Sequence, residues 1–165
     1  MFDVLPGLVI GVVAMLILVV YLASRPYVSI VGRIPGQRDA YGDIGRHPDY
    51  EQVPGLLILR LEAPMFYANA TLVCDTVKRL AGGARPVPHA VIMDISPNGD
   101  LDITSAESLV DLIHTLHSGG VDLGLAEVRH TVAVRAGVTG VLDALGDDHV
   151  FHTIDEAVSK LGGDR

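Results

Sequence analysis

From Val4 to Ser24 the chain runs for 21 residues without a charge, reading VLPGLVIGVVAMLILVVYLAS. A helix needs about 20 mostly apolar residues to cross the hydrocarbon core of a bilayer. Asp3 precedes the run and Arg25 follows it. A cleaved leader ordinarily starts with basic residues and has an apolar stretch of about 7–15 residues. Here no Lys or Arg comes first, the run is longer, and a small-x-small site drawn at Ala23 leads straight into Arg25 and Pro26. A buried globular helix would show a polar stripe, yet Leu8 to Leu22 is apolar on every face. Residues 4–24 are therefore expected to form a transmembrane helix.

Arg25, Arg33, Arg38 and Arg46 all lie on the C-terminal side of this run. Basic residues near a span stay on the cytoplasmic side, so everything from Arg25 onward is expected in the cytoplasm. Pro6, Gly7 and Gly11 fall within the span. Small residues of this kind let membrane helices pack closely, which points to a larger helical bundle as partner.

The remaining 27–163 reads as one soluble domain. The whole chain of 165 residues carries 12 Lys+Arg against 20 Asp+Glu, a formal net charge of −8. That balance excludes a nucleic-acid binder working through a basic face. Without Trp, and with 5% aromatics, no stacking platform for bases is expected. Cys74 is the only cysteine, so an internal disulfide and a Cys-cluster zinc site are both ruled out.

Apolar patterning gives an alternation of strands and helices. Pro26 ends the span. Strands are expected at Tyr27–Gly32, Gly55–Leu61, Ala90–Ile95 and Leu123–Val128. Residues 34–54 read as an exposed loop pinned by Tyr41 and Ile44. Asn69 is expected to cap a helix over 70–81 whose inner face is Leu72, Val73, Val77, Leu80 and Ala81, with Gly82 and Gly83 stopping it. The clearest helix runs from Thr104 to His117, with Ala106, Leu109, Val110, Ile113 and Leu116 on one face. Two short helices follow, Thr131–Ala136 and Thr139–Leu145, broken near Gly137. Val150 and Phe151 form an edge segment, and Ile154–Leu161 a final helix. Strands separated by helices of this length imply crossovers and a largely parallel sheet, with the first strand antiparallel.

Few residues carry chemistry. The segment Asp100-Leu101-Asp102-Ile103-Thr104-Ser105-Ala106-Glu107 joins a buried strand to the best helix. It reads as a capping box, Thr104 with Glu107. It also reads as a ligand or phospho-acceptor loop, because a helix N-terminus offers free amides and a positive dipole end; Asp100, Asp102 and Glu107 oppose that second reading by charge. The pairs His114/His117 and His149/His152 have metal-like spacing but lack a third ligand. Cys74 sits beside Val73 and reads as a packed thiol. Asp94 and Asp100 have no spacing that fixes a carboxylate pair. No phosphate-binding glycine loop or nucleophile elbow is present, and no catalytic residue, metal site or cofactor is expected.

Five stretches together resemble the C-terminal end of a SulP-family sulfate permease, its last membrane helix followed by a STAS domain. They are LPGLVIGVVAMLILVVYLASRPYVSIVGRIPG at 5–36, VPGLLILRLEAPMFYANA at 53–70, AVIMDIS at 90–96, LDITSAESL at 101–109 and VFHTIDEAV at 150–158. The resemblance implies an α/β fold: a STAS-like mixed, mostly parallel β-sheet flanked by helices and preceded by one transmembrane helix. It implies a cytoplasmic domain that governs assembly and activity of an anion transporter through contacts with the transmembrane core or other membrane helices. In the related anti-sigma-factor antagonists a Ser in an Asp-Ser-Ser-Gly loop is phosphorylated. Thr104 of Asp102-Ile103-Thr104-Ser105 matches that position, with Thr in place of Ser and Ser105 then Ala106 where Gly is usual. On this resemblance Ser96, Asn98, Asp100, Asp102, Thr104 and Ser105 form the candidate phospho-acceptor or nucleotide-binding loop. GTP, ATP or a regulatory protein are its candidate ligands, and a homodimer is a candidate assembly. A permease needs several spans around a midplane site. A chain with one span is expected to be a permease fragment, a split subunit or a free-standing tethered regulator.

Overall fold

The central strands are nearly continuous apolar runs, interrupted by Arg60, Asp94 and Asp122, because both faces of the sheet are covered. In the computed structural model, which describes residues 4–23 and 27–163, β1 (Val28–Arg33), β2 (Tyr41–Asp43), β3 (Leu56–Leu61), β4 (Ala90–Asp94) and β5 (Asp122–Ala126) form one sheet. Its order is β2-β1-β3-β4-β5. β3, β4 and β5 are parallel, with Leu59 opposite Met93 and Met93 opposite Leu125. β1 runs antiparallel to both neighbours, pairing Ile30 with Leu59 and Gly32 with Gly42.

Alternation along each strand divides the core in two. Leu57, Leu59, Leu61, Val91, Met93, Leu123 and Leu125 face α2 (Ala70–Gly83) and α3 (Ile103–Ser118). Leu56, Ile58, Ala90, Ile92 and Ala126 face the other way, toward Phe151 and α6 (Ile154–Leu161). On that second face Gly124 leaves room for Phe151 and Leu161, whose side chains would meet any Cβ placed there at 2.9 and 2.7 Å. α4 (His130–Val138) and α5 (Val141–Leu145) close the end of the first layer against α3.

Several sequence expectations shift. Residues 34–54 include a strand, β2, too short for periodicity to reveal. It is held because Tyr41 is buried and its hydroxyl donates to Asp155 Oδ1 at 3.1 Å. Leu72 is exposed rather than inward, because α2 buries Ala70, Val73, Cys74, Val77 and Ala81, a face that leaves position 72 about 100° away. Gly82 and Gly83 complete the last turn of α2 and Ala84 ends it. The break between α4 and α5 falls at Thr139 and Gly140, not at Gly137. Gly140 has φ +79°, the left-handed conformation that turns the chain there. Val150 meets Leu125 in a single parallel bridge, consistent with an edge segment.

α1 (Val4–Ala23) is one continuous helix of 20 residues, about 30 Å at 1.5 Å per residue. From Leu5 to Leu22 its mean hydropathy is 2.7 and none of it is buried against the rest of the chain. It is long and apolar enough to cross a membrane. Ser24, the last residue of the expected span, and Arg25 and Pro26, expected at its end, lie outside the described residues.

Leu59 is wholly buried between β1 and β4. Leu59→Ala is expected to cost about 3 kcal/mol through lost transfer energy and the cavity left behind. Urea titration of the detergent-solubilised chain, followed by circular dichroism, measures it.

Candidate functional site

Parallel strands send their C-terminal ends to one edge, so the segments after β3, β4 and β5 meet there. Asp94 is the last residue of β4 and is 1% exposed. Its Oδ2 accepts from Arg60 Nε at 2.6 Å, and its Oδ1 accepts from the amide of Ser96 at 2.9 Å. Arg60, on the adjacent strand, also donates to the carbonyl of Tyr41 at 3.3 Å. One buried carboxylate thereby ties three strands together and fixes where the loop 95–102 begins. Asp94 does not pair with Asp100, which lies 3.4 Å from Arg135 Nε on the surface.

Asn98 is buried and bonds both ways to Met65. It accepts from the Met65 amide at 3.3 Å and donates to its carbonyl at 3.0 Å. Asn69 does not cap α2 with its side chain. It turns back, accepting from the Phe66 amide at 2.9 Å and donating to the Pro64 carbonyl at 3.1 Å. These two asparagines clamp the loop after β3 to the loop after β4. Thr131, in the first turn of α4, donates to the Gly99 carbonyl at 2.8 Å and fastens the same loop from its other side.

The start of α3 differs from a Thr104–Glu107 capping box. Asp102 is the N-cap, accepting from the Ser105 amide at 3.0 Å and the Ser105 hydroxyl at 2.7 Å. A carboxylate reaches the third helical amide as well as a hydroxyl does and adds favourable charge at the dipole end. Partial burial pushes the Asp102 carboxyl up. The side-chain and backbone hydrogen bonds of Ser105 and the backbone bond from Tyr67 outweigh it and hold the carboxyl below its usual range. Ser105 is fully buried, whereas Ile103, Thr104 and Glu107 are exposed. Ser96 is half-buried and Asp100 exposed. All six loop residues singled out from the sequence thus fall on one continuous segment at this edge. Asp94, Arg60, Asn69 and Met65 complete it. Sequence reasoning weighed Asp94 only as a partner for Asp100 and Asn69 only as a helix cap, and it missed Arg60 and Met65, because their links run between distant segments.

Other candidates lie elsewhere. A cleft of about 620 Å³ opens at the opposite end of the parallel strands, beside Gly55 and Pro88. His149 Nδ1 lies 3.1 Å from Asp148, whose carboxyl that contact holds below its ordinary range. His114, His117 and His152 are exposed. Among the described residues no three His, Cys, Asp or Glu side chains gather as a metal-binding group. Cys74 is buried, 3.4 Å from the Ser108 carbonyl, and burial pushes its thiol up to about 11, so it is a packed thiol and a poor nucleophile.

The depressed Asp102 carboxyl stabilises the fold above the unfolded carboxylate value of about 3.9, and this contribution is lost as pH falls through the folded value. Asp102→Ala is expected to cost about 1–2 kcal/mol at neutral pH. The gap between variant and parent should close in acid below the usual carboxylate range, as read by denaturant midpoints across a pH series.

A model of the STAS domain matches residues 47–157 of the chain, so β1 and β2 precede the matched range. High affinity sulfate transporter 2 of Stylosanthes hamata is 27% identical over 164 residues, covering 94% of this chain and 25% of that protein. Sulfate transporter 1.3 of Arabidopsis thaliana is 29% identical over 162 residues, covering 93% and 24%. The chain spans about a quarter of the length of these relatives. Among solved structures, the murine Slc26a9 anion transporter in the inward-facing state superposes with a TM-score of 0.82 at 21% identity, over 96% of this chain and 26% of that one. The STAS domain of a SulP transporter from Vibrio cholerae superposes at 0.57 with 22% identity, over 70% and 88%. A Thermotoga maritima protein described as an anti-sigma factor antagonist also reaches 0.57, with 20% identity over 72% and 98%. These structures share the mixed sheet and its flanking helices, and the chain belongs to the STAS-domain family.

Proposed function

We propose that this chain is the regulatory and assembly module of a SulP-type transporter for sulfate or another inorganic anion. Residues 4–24 tether it to the membrane, and residues 27–163 form a cytoplasmic domain that acts through protein contacts. The observation that carries this reading is the extent of the similarity. It covers 94% of the chain, so at least part of the 20-residue α1 falls within it, in proteins named as sulfate transporters. α1 is the one candidate span among the described residues. A lone helix cannot enclose a midplane binding site, so permeation belongs to a membrane core with which α1 packs.

The test is co-expression with a SulP membrane core that lacks its own last span and STAS domain, in a bacterium deficient in sulfate uptake. The chain should co-purify with the core and raise uptake by roughly tenfold over either part alone, an ordinary size for coupling between sites. No co-purification together with unchanged uptake would overturn the reading. Topology is read on Val138→Cys, at an exposed position, while native Cys74 stays buried and unreactive. An impermeant maleimide should label it in inside-out vesicles and not in intact cells.

One observation favours a phospho-switch as the second reading. Thr104 is exposed in the first turn of α3, whereas Ser105 is enclosed and bonded to Asp102. Thr104 is then the acceptor, and its phosphate would stand beside Asp102 and weaken the cap by repulsion. Incubation with the cognate kinase and ATP should give a phosphopeptide that Thr104→Ala abolishes. Phosphate on Ser105, or none, refutes it. Nucleotide binding along Ser96, Asn98, Asp100, Asp102, Thr104 and Ser105 is read by calorimetry with GTP and ATP, where no heat at millimolar ligand ends that version.

A further inference from the structure

The layer formed by α2 and α3 covers β1 only in part, leaving Val28 and Ile30 packed against the core but half-buried. Between β1 and the C-terminal half of α2 runs a groove of about 620 Å³ whose floor includes Ile30, Val53, Leu57 and Leu80. Past Ile30 and Leu80 it meets a hollow of about 350 Å³ that reaches Tyr27 and Val28. The two share Gln52.

Charge on this groove runs against the rest of the protein. The chain has a net charge of −8, yet from Thr76 to Met93 it has no Asp or Glu and carries Lys78, Arg79 and Arg85. Among the described residues, Arg79 and Arg85 are the charged ones on the larger groove, and no carboxylate lines it. Arg85 is held at the end of α2 by donating to the Gly82 and Ala84 carbonyls at 3.0 and 2.7 Å. In the adjoining hollow Asp43 is the one acid among the described residues, and Arg46 Nε lies 3.3 Å from it. Tyr27, at that end, follows Ala23 of α1 by four residues, so the chain can separate them by at most about 14 Å.

The groove thus runs along the sheet from a mouth within chain reach of a bilayer, where Val28 pairs with Leu61, over an apolar floor to a cationic far end beside Gly55, and this order suits one chemistry. We infer that this groove takes an anionic phospholipid from the leaflet where α1 ends, its headgroup against Arg79 and Arg85 and its apolar part on Ile30, Val53, Leu57 and Leu80. The inference rests on α1 being a membrane span. It gives the domain a second attachment to the membrane, responsive to lipid charge.

The full chain is reconstituted in nanodiscs of phosphatidylcholine alone or of equimolar phosphatidylcholine and phosphatidylglycerol, with a fluorophore on Gln52→Cys. Lipid-borne nitroxide should quench the fluorophore more strongly in the anionic discs, and molar salt should remove the difference. Each Arg near an anionic surface is worth about fivefold in affinity, so Arg79→Gln with Arg85→Gln should weaken binding by roughly 30-fold and return quenching to the phosphatidylcholine level. An unchanged thermal midpoint shows that the variant remains folded. Equal quenching in both discs, or a variant that behaves like the parent, overturns the inference while α1 remains a span. A photo-crosslinker at Gln52 that yields only a polypeptide adduct in membranes holding the transporter core also overturns it, in favour of an acidic protein segment. Extraction of the chain from vesicles by carbonate defeats both the span and the lipid site.

Discussion

Everything at the loop edge depends on three parallel strands being buried on both faces. Parallel pairing of β3, β4 and β5 forces their C-terminal ends to one side. The chain leaves each strand there carrying backbone groups that must still find partners in a nearly dry setting. Asn98, Asn69 and Asp102 supply those partners from side chains. The loop 95–102 is therefore held by its neighbours rather than by its own secondary structure. A site on it inherits the precision of the sheet.

Asp94 is the point where that arrangement is most exposed to error. A buried carboxylate is costly unless it is paired and hydrogen-bonded. Here Arg60 and the Ser96 amide both meet it, and Arg60 reaches on to Tyr41. Tyr41 in turn bonds Asp155 of α6 and receives Arg33 Nη2 at 3.3 Å. Burial pushes the Tyr41 phenol up despite the cation beside it. This chain of contacts links the β2 hairpin, the centre of the sheet, the loop edge and the last helix.

The two ends of the sheet have different chemistry. The loop edge is acidic and hydrogen-bonded, with Asp100, Asp102 and Glu107 around an exposed Thr104. At the opposite end the α2 face is apolar and basic around Arg79 and Arg85, and the α6 face carries Asp122, Asp148 and Glu156 with His89 and Lys160.

Sequence by itself determined the apolar rod, the order of strands and helices, and the parallel centre, because periodicity and apolar run length are local signals that burial imposes directly. It also marked the 96–105 loop, since a strand end, a turn and a helix start leave a readable composition. It misread what depends on geometry between distant residues. Leu72 looked inward until α2 chose Cys74, the Thr104–Glu107 box gave way to Asp102 with Ser105, and β2 was too short to carry a pattern. Only the tertiary structure decided these, and only it could join Arg60 to Asp94, Met65 to Asn98, and α2 to β1 around a groove. The first two contacts span 34 and 33 positions of chain and the third spans more, distances over which sequence spacing carries no information.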